Sequence, residues 1–476
     1  METGETSSLP RVIQGCMGIG VSSWAMAKAV AQAGGLGVVS GTAIDSVISR
    51  RLQDGDSDGS VRRVLEHFPD HDFAAEVSRR YFIEGGKERN APYLLVPKLS
   101  LHPTDFSTKF LVLANFVEVW LAKEGHCGLV GINFLEKLQL STPASIYGAI
   151  LAGVDYVLMG AGIPSEIPRV IRELSIHEKT TISISVENAS TKYYLPFDPS
   201  IILGGKTIDI VKPKFLAVIS SHALAAYLNR DIEVRPDGFV VEGVTAGGHN
   251  APPRGNTPIG IDGQSQFTSK DDADIEKVRA TGLPFWLAGG YATPEKLKFA
   301  ISQGAVGIQV GSIFALCHES GITKELRQQV LTQLANKSLN VITDPLGSPT
   351  SFPFKYAELA ETISDYSEFY SRVKLCDLGY LRTVVERPNK RIVYRCSGEP
   401  NKTFNFKGGV DSATVGKKCL CNALMANIGL AQVRPTGYQE AALVTLGSDL
   451  AGEEALLAMY PDGWSVIQAM EYLSGC

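Results

Sequence analysis

One histidine follows a glycine pair at the end of a strand-forming run, Val240-Val-Glu-Gly-Val-Thr-Ala-Gly-Gly-His-Asn250. An imidazole titrates near neutral pH and can take or give a proton there, so His249 is the candidate acid or base. A lone histidine after a strand is more often a structural hydrogen-bonder. Here Gly247 and Gly248 have no side chains, so the backbone beside the ring can approach a ligand closely.

Two further runs share this pattern, Pro284-Phe-Trp-Leu-Ala-Gly-Gly290 and Ala305-Val-Gly-Ile-Gln-Val-Gly-Ser312. Glycines just past a strand leave N–H groups free to hold phosphate oxygens. Gly289, Gly290, Gly311 and Ser312 are therefore candidate phosphate ligands. One glycine pair would be explained by turn sterics alone. Three such turns in order, one carrying the histidine, point to a site.

A second group of reactive residues lies far downstream. Cys376, Cys396, Cys419 and Cys421 follow a Cys-x19-Cys-x22-Cys-x-Cys spacing and make up half of the eight cysteines. Thiolate sulfur suits zinc or an iron–sulfur cluster. The spacing lacks the usual pair of Cys-x2-Cys knuckles, so zinc, a cluster and unligated thiols all stay open. Arg254, in the stiff loop after His249, could grip a carboxylate or nitro group as a two-pronged donor, although loop arginines usually do not.

Eight short apolar runs could position these groups: residues 12–15, 36–40, 129–133, 155–159, 215–219, 239–242, 285–288 and 306–310. Helical patterns lie between them, and Thr293 followed by Pro294 marks one helix start. Alternating strands and helices predict a parallel α/β sheet. In a closed barrel of eight, the loops after strands seven and eight hold phosphate.

Residues 41–128 read as a mainly helical insertion after strand two, either a cap over the site or an oligomer interface. Residues 180–211 read as a β-hairpin excursion. A Pro-rich stretch near residue 344 marks the end of the barrel region, 1–340, and the start of a C-terminal extension, 341–476.

The composition, 44% hydrophobic and 20% charged, sets disorder aside. A net charge of −5 without a basic, aromatic-rich stretch argues against nucleic acid and for a small-molecule substrate. The polar N-terminal octapeptide does not read as a secretory leader, and no apolar run approaches the roughly 20 residues of a membrane helix. The expectation is a cytoplasmic protein that does not bind membranes and whose cysteines stay reduced.

The runs "AGGH", "LAGGYATPEKLKFAISQGAVGIQVGSIF", "GINF" and "VIQGCMGIGVSSWAMAKAVAQAGGLGVVSG" occur here in an order that resembles the nitronate monooxygenase family. That family, formerly called 2-nitropropane dioxygenases, includes FMN-dependent enoyl reductases. The likeness covers roughly residues 10–320 with one large gap. It implies a (β/α)8 TIM barrel that binds FMN.

It also implies that Gln14, Cys16, Met17 and Gly18 run along the flavin ring, that Asn133 lies near it, and that Gln309 serves the phosphate and ribityl group. Glu242 stands where the monooxygenases often have glutamine, and a carboxylate there could hydrogen-bond a ribityl hydroxyl. His249 falls at the family's catalytic histidine.

Two activities follow from the resemblance. One is oxidation of alkyl nitronates by oxygen to carbonyl compounds and nitrite. The alternative is reduction of an enoyl thioester with NAD(P)H as donor. A homo-oligomer is a further expectation.

Overall fold

The structure, a computed structural model, describes residues 9–255 and 259–475, so the polar N-terminal octapeptide lies outside the described residues. Short β-branched and apolar runs form the eight expected barrel strands. They are β1 (Val12–Gln14), β2 (Gly37–Ser40), β3 (Val130–Leu135), β4 (Tyr156–Gly160), β5 (Lys214–Ile219), β6 (Gly238–Glu242), β7 (Phe285–Ala288) and β8 (Gly307–Val310). All pair in parallel with their neighbours in chain order, and β8 pairs with β1. A parallel bridge from Ile13 to Leu36 joins β1 to β2 and closes the barrel.

Both faces of such a sheet are buried, so its strands are apolar throughout. Ile13, Val38, Leu158, Leu216, Val240 and Trp286 point inward and pack on one another. Val39, Val157, Val241 and Ile308, on the opposite face, join the core under the helices. The helix Trp24–Gln32 lies so close to β2 that a Cβ on Gly37 would sit 1.8 Å from the Ala27 carbonyl oxygen. The Thr293 hydroxyl caps the helix Pro294–Ser302 by accepting from the Lys296 N–H at 3.3 Å, as its sequence predicts.

The 41–128 region is helical, and it lies on the barrel's flank. Its long helix, Asp105–Lys123, packs against Trp24–Gln32 and Thr142–Leu151, and the shorter helices Ile44–Gln53, Ser60–Leu65 and His71–Tyr81 pack around it. Buried Glu118 joins these parts, accepting from the Trp24 N–H at 2.8 Å and from Arg51 at 2.7 Å. Residues Thr180–Ile184 and Tyr193–Phe197 form the expected antiparallel hairpin.

The C-terminal region does not stand apart from the barrel. Its strand Phe354–Ala357 pairs antiparallel with Gly248–His249, in the loop after β6, and with Val341–Asp344. The helix Val466–Ser474 packs between Pro294–Ser302 and Trp24–Gln32, and one continuous core includes both regions. A local change in composition near residue 344 could not reveal these long-range contacts. Among the described residues, no helix is long and apolar enough to cross a membrane.

Candidate functional site

The C-terminal ends of the strands surround two joined hollows. The larger encloses about 1020 Å³, counting its open mouth, and is lined by Gly18, Asn133, Gly248 and His249 among others. The second is lined by Gly289, Gly290, Gly311 and Ser312. Cys16, Met17, Glu242, Gly247 and Gln309 line both and form the neck between them.

Gln14 is placed differently. It is buried below the neck and lines neither hollow; its amide accepts from the Val38 N–H at 2.9 Å and donates to Ser22 Oγ at 2.8 Å.

The glycine hollow has the features of a phosphate cradle. Gly289 and Gly290 adopt φ of +82° and +74°, a region L side chains seldom enter. Among the described residues, the N–H groups of Gly289, Gly290 and Ser312 donate to no backbone carbonyl. Buried N–H groups without partners are rare, so these donors fit an anion.

Two carboxyls from the C-terminal region share this hollow, Asp449 and Glu453. Glu453 is buried, and its Oε2 has no hydrogen-bond partner. Burial raises its pKa to about 8, so at neutral pH it holds a proton that it can donate. An anionic oxygen would supply the missing partner.

His249 sits between the barrel and the C-terminal region. Its Nε2 lies 2.7 Å from Ser348 Oγ, and its ring meets Phe354 edge-on at 4.8 Å. Ser348 Oγ also lies 2.8 Å from Thr350 Oγ1 and accepts from the Thr350 N–H at 3.1 Å. Either ring tautomer satisfies the serine contact. Burial, reinforced by Lys137, lowers the His249 pKa to about 4, so the imidazole is neutral at pH 7.

At the neck, burial raises Glu242 to about 7, partly offset by Lys355. Lys355 is itself lowered to about 8 by burial; its Nζ donates to the Val244 carbonyl at 2.7 Å and to Ser448 Oγ at 3.2 Å. Burial raises the Cys16 thiol to about 11, so it is not a thiolate nucleophile.

Several residues of the site escape a sequence reading. Tyr380, Asp449 and Glu453 line the hollows, and Ser348 and Lys355 stand behind His249 and Glu242; all come from the C-terminal region, where no local motif marks them. Lys355 left a faint signal, a lone lysine in the apolar run Phe352-Pro-Phe-Lys-Tyr-Ala357. From residues 41–128, only Thr42 lines the larger hollow, so this region does not cap it.

Arg254 faces away from the larger hollow and donates to the carbonyls of Lys270 and Ser220 at 2.7 and 2.6 Å. The four clustered cysteines do converge, lining one small hollow, and Cys421 also lines the larger one. As the side chains stand, no group of three or more His, Cys, Asp and Glu among the described residues could hold a metal ion.

The structure is a closed (β/α)8 barrel with a glycine-lined hollow joined to a larger one at its C-terminal mouth. Residues 206–350 match the family profile described as nitronate monooxygenase. That stretch, under a third of the chain, is what resembles the family.

A putative nitronate monooxygenase of Saccharomyces cerevisiae is 28% identical over 149 residues, 29% of this chain and 37% of that protein. A probable nitronate monooxygenase of Bacillus subtilis is 33% identical over 98 residues, 20% of this chain and 26% of that protein. The matched segments thus span well under half of these relatives. Among solved structures, the enoyl reductase domain of MlnA from the macrolactin biosynthesis cluster of Bacillus amyloliquefaciens aligns over 98% of this chain and 93% of its own, with TM-score 0.49 and 12% identity.

Proposed function

We propose that this protein is an FMN-dependent oxidoreductase that reduces the double bond of an extended enoyl thioester, with NAD(P)H as electron donor. One observation carries the reading. Tyr380 and Leu381 stand between the larger hollow and a third one of about 790 Å³, counting its open mouth, lined by Lys137 and Arg382 among others. A small nitronate needs no such extension, whereas the long arm of an acyl thioester does.

FMN would lie with its phosphate on Gly289, Gly290, Gly311, Ser312 and protonated Glu453, and with its ring along Cys16, Met17, Gly18 and Asn133. When bound, it supplies two-electron chemistry at the ring.

The remaining roles belong to the chain. His249, neutral and held at Nε2 by Ser348, keeps Nδ1 for a substrate oxygen. As an N–H donor it polarises a thioester carbonyl; a base with a pKa of about 4 is too weak to deprotonate a nitroalkane efficiently. Glu242 holds a proton for part of the time at pH 7 and can bond a ribityl hydroxyl. Lys137, over the Phe352 ring at 3.6 Å, and Arg382 supply positive charge for an anionic tail in the third hollow.

The family match over residues 206–350 favours a second reading, oxidation of anionic alkyl nitronates, which needs no base. Anaerobic stopped-flow absorbance of the FMN-loaded protein separates the two. Bleaching by NADPH, followed by reoxidation with an enoyl-coenzyme A, is expected. Bleaching by a nitronate alone, with nitrite formed on admitting air, would establish the second reading instead.

A further inference from the structure

We infer that Cys376, Cys396, Cys419 and Cys421 form a tetrathiolate site for a thiophilic metal, which ties the C-terminal region into the wall of the larger hollow. The four residues come from separate places. Cys376 lies in the loop before the strand Thr383–Glu386, Cys396 just after the strand Ile392–Arg395, and Cys419 and Cys421 at the start of the helix Leu420–Ala426. All four line one hollow with Leu375, Leu378 and Leu381. Cys376 and Cys396 also interact side chain to side chain.

Polar groups reach the sulfurs of Cys419 and Cys421. Backbone N–H groups of Tyr380 and Leu381 face the Cys421 sulfur, and Asn422 Nδ2 donates to Cys419 Sγ at 3.5 Å. Such donors around sulfur orient metal ligands and offset their charge. Lys98 and Arg382 stand near Cys376, and Arg372 stands near Cys419. A divalent ion held by four thiolates carries a net charge of −2, with four protons released to solvent; Lys98 and Arg382 offset part of it, whereas Arg372 is already paired with Glu440 and Glu399 also faces Cys376.

The four cysteines line one hollow, but as their side chains stand no group of three or more among the described residues could hold a metal ion. Metal binding would bring them in by rotation about their Cα–Cβ bonds. The elements that carry them are short, the kind of structure metal ligation commonly holds together. Because Leu420, Cys421 and Leu424 line the larger hollow, the metal would also fix that wall.

The test is elemental analysis and absorbance of the full-length protein, purified from cells grown with added zinc and iron. One zinc ion per chain, or iron with acid-labile sulfide, supports the site and tells the two metals apart. Cys376→Ser and Cys419→Ser should lose the metal, while Cys127→Ser, at an exposed position, should keep it. If the first two variants fold poorly, cobalt exchanged into the unsubstituted protein should give intense thiolate-to-metal absorption. A metal-free protein, cobalt without that absorption, or metal retained in soluble cysteine variants would overturn the inference.

Discussion

His249 Nε2 and Ser348 Oγ lie 2.7 Å apart although 99 residues separate them in the chain. This contact fixes one nitrogen of a neutral imidazole at the rim of the larger hollow. Strand pairing of Gly248–His249 with Phe354–Ala357 holds both partners in place. Ser348→Ala should therefore lower kcat about tenfold, and His249→Ala about a hundredfold, the usual scale for a positioned polar group. Neither should change FMN content, measured by flavin absorbance after gel filtration.

The lowered pKa of His249 also predicts how stability depends on pH. The unfolded ring binds a proton near pH 6.5, but the folded ring does so only near pH 4. Stability should therefore fall as the pH drops through this window and level off below it. The ring is partly open to the hollow, so the loss at pH 5 should be roughly 1 kcal/mol. Urea unfolding at pH 7 and pH 5 measures it, and His249→Phe should remove most of the difference.

Glu453 predicts a pH effect on the cofactor. A protonated carboxyl donates to phosphate, whereas an ionised one repels it. FMN affinity should fall as the pH rises through about 8. Glu453→Gln keeps a donor and should remove that dependence, as read from quenching of free flavin fluorescence between pH 6.5 and 9.

Gly290 has two reasons to be glycine. Its φ is +74°, and a Cβ there would stand 2.7 Å from Asp449 Oδ2. Gly290→Ala should cost about 1–2 kcal/mol from the backbone alone. Crowding of the cradle should raise the FMN Kd at least tenfold. If titration shows normal FMN affinity, the phosphate does not lie there.

Lys137 tests the third hollow. Lys137→Met removes the charge and keeps the length of the side chain. KM for an enoyl-coenzyme A should rise about tenfold, the scale of one lost partly buried charge contact, with little change for a short thioester lacking phosphate. Equal effects on both substrates would place the anionic tail elsewhere.

The barrel strands were legible within a residue or two because burial on both faces makes each a short apolar run. The glycine-ended turn that lines the second hollow was legible because the left-handed φ of Gly289 and Gly290 favours glycine. The resemblance placed Gln14 along the flavin, but its side chain lines neither hollow and its amide bonds Val38 and Ser22. The break near residue 344 marked a change in local pattern, not a boundary in the core.

Local pattern gave eight short parallel strands, the glycine-ended turns and the place of His249 after one of them, and the family resemblance gave closure into a barrel. Closure of the chain decided the rest: Ser348 on His249, Lys355 near Glu242, Glu453 at the cradle, and four distant cysteines on one hollow. The reason is physical. Secondary-structure preferences act over a few residues, whereas these contacts join segments about a hundred or more residues apart, or in the cysteines' case some twenty, whose meeting depends on how the whole barrel packs.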